Sequence, residues 1–358
     1  MGLIGPLAVM TAWAAGAETP PPQAIAQAKG AVPIALETHA DPFDYRSAVS
    51  PVLHLPLPRA RQHWRLCAVF PHIKDEYWLS VAYGMAQEAR RLDVALTISE
   101  TGGYRSVDAQ GARLRGCVGK ADAAILGTVS FDSPQIAAAI ADVSDEMPVI
   151  AAVNDVASRA VAVKVGVSWR EMGGHVGRYL AAEYGPRQAA QQAVLATGPR
   201  EAGWVSFLSE GLAAALAHSG LSLVETGWAD TGTQEQLRLA EDLLDRHPDI
   251  PVFIGSAPAV ESVVSLLRSE GRLGAMRLVA TYYTQAIRRG MMRGRIDAAP
   301  FDDPAMQGRL AIEYAVRAIE GTVDHRQIGP VIRLVTRTSL PPADALAPAG
   351  FRPEFVIP

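Results

Sequence analysis

The sequence has little of several features that would assign it to a particular class. It has no excess of positive charge, with 33 Lys and Arg against 37 Asp and Glu and a net charge of −4. Nucleic-acid-binding domains are usually strongly basic, so that class has no support. It has two cysteines, too few for a zinc centre without other ligands. What remains is a globular protein whose 358 residues suffice for two domains.

Motifs for catalysis and cofactor binding are also missing. The sequence contains neither the G-x-S-x-G of serine hydrolases nor the G-x-x-x-x-G-K-[ST] that cradles phosphates. Glu171 and His175 stand four residues apart on a predicted helix, a spacing that can bind metal. With no third ligand in view, we interpret them as part of a solvated helix face. Gly173, Gly174 and Gly177 lie within the same helix and predict close helix packing. We therefore predict no enzyme, no cofactor and no metal site.

Long apolar runs are absent after the first residues. Residues 2–17 are apolar and small, and Ala15-Gly16-Ala17 fits a small-x-small cleavage site. This pattern predicts a signal peptide at 1–17 and an exported, soluble protein; the alternative is a buried N-terminal helix. No other stretch reaches the roughly 20 apolar residues that span a bilayer. Residues 18–63 are rich in Pro and Ala without a sustained period, and predict an N-terminal arm.

From Trp64 onward, strand and helix patterns alternate, which predicts parallel sheets flanked by helices. Strands are predicted at 66–70, 94–100, 123–129, 148–153, 163–167, 193–197, 221–226, 252–256, 277–281, 295–299 and 331–336. Helices are predicted at about 76–92, 107–117, 134–144, 169–183, 204–218, 234–246, 258–270, 285–292 and 304–319. The pattern restarts near its middle and thus predicts two lobes. We expect one at 64–157 plus 301–325 and the other at 158–300 plus 328–358, with crossings near 154–162, 299–303 and 324–330.

Polar and aromatic side chains follow several of the predicted strands. The run 70-FPHIKDEYWLSVAYGM-85 places an acid and two aromatics directly behind the first one. The candidate site residues of this kind are Asp75, Tyr77, Trp78, Tyr104, Asn154, Trp169, Tyr282 and Asp302. Ligands of open α/β sheets bind beyond the carboxyl ends of the strands, and pockets favour domain interfaces. We therefore expect these side chains to meet in a cleft between the lobes.

Each of these residues also has a simpler explanation. Asp75 could cap a helix, and Trp78 could belong to the core. Trp169 could pack between the lobes, and Tyr282 could face solvent. Four aromatics at four strand ends nevertheless favour a site. Trp64, Trp204 and Trp228 lack this placement, and we assign them to packing or to the surface. Aromatic faces attract cations and select methylated ammonium groups, so we predict a ligand of that class that also bears an oxygen.

The two cysteines are open to two interpretations. Cys67 lies on the first predicted strand and Cys117 ends the second predicted helix, so they could meet across one face of a sheet. An oxidising compartment would allow them to form a disulfide. Two separate buried thiols remain the alternative.

The run CAVFPHIKDEYWLSVAYGM resembles the periplasmic proteins that sense trimethylamine N-oxide for a sensor histidine kinase. The similarity continues through 100-ETGGY-104, 152-AVND-155, 165-VGVSWREMG-173, 197-TGPR-200 and 254-IGSAPAVE-261, and covers about 65–335. It implies a two-lobed type I periplasmic-binding-protein fold with three crossovers. It also implies that Cys67 and Cys117 correspond to the family's cysteine pair.

The resemblance further implies an aromatic box for the ligand, formed by Tyr77, Trp78, Tyr104, Trp169 and Tyr282. Asp75 would be its acidic partner, with Asn154 and Asp302 as additional candidates at the crossings. It implies trimethylamine N-oxide or a related methylated amine as ligand, a periplasmic location, and a sensor histidine kinase of a two-component system as partner. One alternative is a substrate-binding protein that delivers a quaternary ammonium or sugar ligand to an ABC transporter, and another is an enzyme with an unfamiliar site.

Overall fold

The computed structural model describes residues 32–44, 46–187 and 189–358. The predicted signal peptide lies outside the described residues. The strands are β1 Ile34–His39, β2 Val49–His54, β3 Arg65–Phe70, β4 Ala95–Glu100, β5 Ala123–Leu126, β6 Val149–Ala152, β7 Val163–Val165, β8 Gln191–Thr197, β9 Leu221–Trp228, β10 Val252–Gly255, β11 Arg277–Ala280, β12 Ala298–Phe301, β13 Gln327–Pro330, β14 Arg333–Thr336 and β15 Val356–Ile357. The helices are α1 Glu76–Leu92, α2 Val107–Arg115, α3 Pro134–Ser144, α4 Trp169–Glu183, α5 Gly203–Leu216, α6 Thr233–Arg246, α7 Ala257–Ser269, α8 Gln285–Met292 and α9 Pro304–Ile319.

Within the described residues the strands form two sheets, one for each lobe. The first has the order β15-β4-β3-β5-β6-β7-β13-β1-β2, and the second has the order β14-β12-β11-β10-β8-β9. Their central strands are parallel, and helices connect most of these strands to the next one along the chain. The antiparallel strands β1, β2, β15 and β14 lie toward or at the edges. The predicted fold class is confirmed.

Helices pack closely within each lobe. A Cβ on Gly84 of α1 would lie 1.8 Å from the carbonyl oxygen of Ala305 on α9, so these first-lobe backbones are in direct contact. In the second lobe, a Cβ on Gly173 would lie 1.9 Å from the carbonyl oxygen of Leu208, and one on Gly177 would lie 2.5 Å from Ala215 Cβ. The predicted packing role of these two α4 glycines is confirmed. No helix among the described residues is long and apolar enough to span a membrane.

The predicted lobe boundaries need two corrections. Strand β7, expected to open the second lobe, pairs in parallel with β6 and β13 and belongs to the first sheet. The segment before it folds back on the first lobe, where Ala162 N donates to Val149 O. The first crossing therefore falls at 166–168 rather than near 154–162. The second correction is at the C-terminus: β13 and β15 join the first sheet, and β14 alone of the strands after 328 joins the second.

The predicted N-terminal arm contains regular structure. Strands β1 and β2 form an antiparallel hairpin that extends the first sheet beyond β13. Sequence patterns missed it because Pro51 interrupts β2, and proline is tolerated there only because β2 is an edge strand. A buried ion-pair cluster anchors the end of the hairpin to α9. In it, Glu313 Oε1 accepts from Arg317 Nε at 2.8 Å and lies 3.1 Å from His54 Nε2.

Cys67 and Cys117 are joined in a disulfide, which resolves the two interpretations. The bond links β3 to the end of α2 and closes a loop with a sequence separation of 50. A cross-link that closes a loop of that length lowers the conformational entropy of the unfolded chain, which stabilises the folded state by roughly 4 kcal/mol. The first lobe is thus stabilised independently of any ligand.

Candidate ligand-binding site

The first-lobe side of the cleft is built on the start of α1. Asp75 is the N-cap, and its Oδ1 accepts from Tyr77 N at 2.8 Å. This confirms that Asp75 caps the helix, yet its second carboxylate oxygen is left to act across the cleft. Capping also directs Tyr77, in the first turn, into the space between the lobes, where its side chain is buried.

Trp78 belongs mainly to the first-lobe core. Its ring lies 4.9 Å from that of Phe70, and 6.3 Å from that of Tyr77. A Cβ on Gly127 would lie 2.4 Å from Trp78 Cη2, so this ring fills the space that the glycine leaves. Trp78 therefore packs in the core, as its simpler explanation predicts, and supports Tyr77 from behind; its contact with a ligand stays a prediction.

The second-lobe side contributes aromatics whose polar tips cross to the first lobe. Trp169, the first residue of α4, donates from Nε1 to Val153 O at 3.2 Å. Val153 has a φ of +68°, a region that β-branched residues rarely adopt. Tyr282 follows β11 and donates from its hydroxyl to Asp75 Oδ2 at 2.5 Å. The neighbouring Tyr283 instead packs into its own lobe.

Tyr77 is where the aromatics from the two lobes meet. Its ring lies 5.4 Å from Tyr282, edge-on, and 6.3 Å from Trp169. Both partners belong to the second lobe and are nearly inaccessible to solvent. Tyr77 and Tyr282 are 205 residues apart in the sequence. Their rings are in contact because the two lobes are closed on each other.

Asp302 lies at the second crossing, between β12 and α9. Its Oδ2 accepts from the Tyr77 hydroxyl at 2.6 Å and from Gln307 Nε2 at 2.8 Å. The other oxygen, Oδ1, is buried and has no hydrogen-bond partner among the described residues. Burying a carboxyl with an unpaired oxygen costs free energy, so Asp302, at this hinge between the lobes, is a candidate for contact with a ligand.

The electrostatics of the cleft favour a cation. Burial raises the pKa of Asp75 to about 6 and that of Asp302 to about 6. Burial also raises the pKa of the Tyr77 and Tyr282 hydroxyls, which keep their protons and donate to these carboxyls. Among the described residues, the side-chain oxygens of these two carboxyls bond Tyr77, Tyr282 and Gln307, and no Lys or Arg forms an ion pair with either of them. A positively charged group bound here would stabilise both carboxylates.

Tyr104 and Asn154 form a second polar group on the first-lobe side. Asn154 Nδ2 donates to the Tyr104 hydroxyl at 3.1 Å and to Thr128 O at 2.8 Å. The ring of His72, which the sequence analysis did not select, meets Tyr104 edge-on at 5.5 Å. Its Nε2 lies 2.9 Å from Thr231 Oγ1 of the second lobe, and burial lowers its pKa to about 4. His72 is thus a neutral contact between the lobes.

Trp204, assigned from the sequence to packing or to the surface, packs against the aromatics of the cleft. Its ring lies 5.0 Å from Trp169, 6.3 Å from Tyr282 and 6.4 Å from Tyr104. It stands in the first turn of α5, behind β8, as Trp78 stands behind β3. That shared strand–loop–helix position was the signal that could have found it. We call the rings of Tyr77, Trp78, Tyr104, Trp169, Trp204 and Tyr282 the aromatic cluster.

The helix-face pair Glu171 and His175 serves a different purpose. Glu171 Oε2 accepts from Arg178 at 3.1 Å, so its carboxylate is already paired with a cation. Among the described residues no group of three or more His, Cys, Asp or Glu side chains is arranged to hold a metal ion.

A two-lobed α/β fold with a buried aromatic and acidic cleft between its lobes defines a ligand-binding protein. The family of periplasmic binding proteins and sugar binding domains of the LacI family matches residues 63–291, and the chain belongs to this family. The periplasmic protein TorT of Escherichia coli K12 is 34% identical over 306 residues, which cover 83% of this chain and 86% of that protein. The resemblance noted from the sequence and the predicted periplasmic location are confirmed.

Two solved structures are also similar along most of the chain. An ABC transporter solute binding protein from Bradyrhizobium sp. BTAi1, with bound bis-tris, is 36% identical with a TM-score of 0.77, and the match covers 90% of this chain and 98% of that one. TorT in complex with the TorS sensor domain, in the presence of TMAO, is 32% identical with a TM-score of 0.73 and coverages of 82% and 99%. The same complex has been solved without ligand.

Proposed function

We propose that this chain is a periplasmic sensor protein that binds trimethylamine N-oxide, or a closely related methylated amine, and reports it to a membrane sensor histidine kinase. The observation that carries the proposal is the aromatic cluster with two buried carboxyls that lack ion-pair partners in the described chain. Aromatic faces and carboxylates together favour a methylated ammonium centre. The similarity to TorT supports the particular ligand and partner.

Binding would act on the equilibrium between open and closed lobes. The direct contacts that join the lobes around the cluster include those of Tyr282 with Asp75, of Trp169 with Val153 O, and of His72 with Thr231. A ligand between the lobes adds contacts that only the closed form provides, and it shifts the population by that difference in affinity. A kinase that binds the two forms unequally then receives the signal. No covalent step is required, and we propose that the protein is not an enzyme.

Calorimetric titration with trimethylamine N-oxide, betaine and choline tests the ligand class. We expect the wild type to bind and Trp169→Ala to lose at least tenfold in affinity, about 1.4 kcal/mol. Trp169 supplies a ring face and one bond across the cleft, and the substitution removes both. Trp228→Ala is the matched control, because that ring is 40% exposed and lies over Arg200, outside the cluster. Unchanged binding by Trp169→Ala would remove Trp169 from the site.

A substrate-binding protein of an ABC transporter is the second candidate, and the similarity to the Bradyrhizobium solute binding protein supports it. Both functions need the same cleft, so the partner decides between them. A pull-down with the periplasmic domain of a TorS-like kinase should retain the protein, and the retained amount should change with trimethylamine N-oxide. Failure to bind that domain with or without ligand would favour the transporter. Turnover of bound ligand by the purified protein would instead establish an enzyme.

A further inference from the structure

Trp204 occupies a place made for a large ring. A Cβ on Gly198, at the end of β8, would lie 2.3 Å from Trp204 Cζ2 and 2.8 Å from Cη2. The glycine therefore lets the indole lie against the strand end, between Trp169 and Tyr104. The side chain is buried, with 4% of its surface exposed. This is a packed position within the cluster, not a surface one.

The polar tip of Trp204 differs from those of its second-lobe neighbours. The Trp169 N–H donates to Val153 O, and the Tyr282 hydroxyl donates to Asp75. The indole N–H of Trp204 is buried and has no acceptor among the described residues. Buried N–H groups are nearly always paired, so an unpaired one inside a binding cleft is a candidate donor to a ligand.

The three tyrosine hydroxyls of the cleft are largely engaged. Those of Tyr77 and Tyr282 already donate to Asp302 and Asp75. The Tyr104 hydroxyl accepts from Asn154, which leaves its hydrogen as the one competitor of Trp204 for a ligand oxygen in this group. The acceptor carboxyls and the ring faces suit a methylated cation, but they do not bind an oxygen.

We propose that Trp204 is a specificity-determining residue whose indole N–H donates to an oxygen of the ligand, so that the cleft prefers methylated amines that carry an acceptor oxygen. The inference rests on the proposed function and names the group that distinguishes an N-oxide from a simple methylated ammonium ion. A site that donates to a ligand oxygen discriminates against analogues that lack it, because its buried donor is then left unpaired.

The test compares Trp204→Phe with the wild type by calorimetry, using trimethylamine N-oxide and tetramethylammonium as probes. Phenylalanine keeps an aromatic ring and removes the N–H. We expect affinity for trimethylamine N-oxide to fall about tenfold, or about 1.4 kcal/mol, while affinity for tetramethylammonium changes less than threefold. Tyr104→Phe is the matched variant, since it removes the competing hydroxyl and keeps the ring. It should leave the preference for the N-oxide in place.

Several outcomes would overturn the inference. Equal losses for both probes would make Trp204 a packing residue, and a selective loss in Tyr104→Phe alone would assign the donor to Tyr104. If the wild type binds trimethylamine N-oxide and Trp204→Phe binds it equally well, only the inference fails. If the wild type binds neither probe, the proposed function fails and the inference with it. Thermal unfolding of each variant shows that a lost affinity does not reflect a lost fold.

Discussion

The two sides of the cleft differ in how their polar groups are bonded. On the first-lobe side, Asp75 caps α1 and Asn154 bonds Tyr104, so these groups are oriented by their own lobe. On the second-lobe side, Trp169 and Tyr282 donate to acceptors of the first lobe. The first side is therefore largely preformed, whereas the second is completed by closure. This asymmetry places the ligand-dependent step in the movement of the second lobe.

The largest expected effect concerns the hinge carboxyl. Because burial raises the pKa of Asp302 above the value in the unfolded chain, the folded state holds its proton more tightly. Below about pH 4 this group makes its whole contribution to the free energy of unfolding. As the pH rises through about 6 that contribution is lost, and the free energy of unfolding falls by roughly 3 kcal/mol. Asp302→Asn should therefore show a smaller fall in unfolding free energy between pH 4 and pH 7, measured by urea unfolding. Asp132→Asn, at an exposed carboxyl, is the control, and equal pH slopes in wild type and Asp302→Asn would contradict this account.

Matched glycine substitutions compare the two sides directly. Gly127→Ala would place a Cβ less than 2.5 Å from the ring of Trp78, and Gly198→Ala would do the same to Trp204. Each ring would have to move. Overpacking of this kind costs about 1–3 kcal/mol, so both variants should lower the melting temperature. We expect Gly198→Ala to lose more ligand affinity, because Trp204 contacts three cluster rings and Trp78 mainly supports Tyr77.

Gly185→Ala is the control for these variants, since a Cβ there meets nothing within 4 Å. Equal affinity losses in Gly127→Ala and Gly198→Ala would show that the two sides contribute alike. That result would remove the proposed asymmetry.

The smallest expected effect concerns a contact at the rim of the cleft. Glu76 of α1 accepts from Ala286 N at 2.7 Å, at the start of α8, and lies 3.3 Å from Arg289. Glu76→Gln removes a charge that favours closure through the helix dipole and the ion pair. Both groups are about 40% exposed, so we expect about a twofold to fivefold loss of affinity, or up to about 1 kcal/mol. The loss should shrink at high salt, whereas the remote Glu270→Gln should show none; a loss independent of salt would argue against an electrostatic contact.

Much of the fold was predictable because strand and helix periods are strong from Trp64 onward. The helices begin and end close to the predicted residues, since capping residues such as Asp75 and Ser168 mark their starts. The lobe boundaries were not predictable in the same way. The sequence of a three-residue strand such as β7 does not indicate which lobe it joins. Its pairing with β6 and β13 assigns it to the first lobe.

Tyr282 was predictable because it follows β11 closely, and Tyr77 because it lies in the first turn of the helix that follows β3. Trp204 and His72 were missed for different reasons. Trp204 lies as far beyond β8 as Tyr77 lies beyond β3, but it lacks the adjacent second aromatic that draws attention to Tyr77 and Tyr282. His72 stands within the motif itself, but its partner Thr231 lies in the other lobe. Contacts that form only when lobes close leave no periodic pattern in a sequence.

We propose that a methylated amine oxide binds between the lobes, within the aromatic cluster. The most direct test is a crystal structure of the protein grown with trimethylamine N-oxide. We expect closed lobes, with the ligand's methyl groups against Tyr77, Trp169 and Tyr282 and its oxygen at the indole N–H of Trp204. Ligand bound outside the cleft, or a cleft that stays empty at saturating concentration, would contradict it.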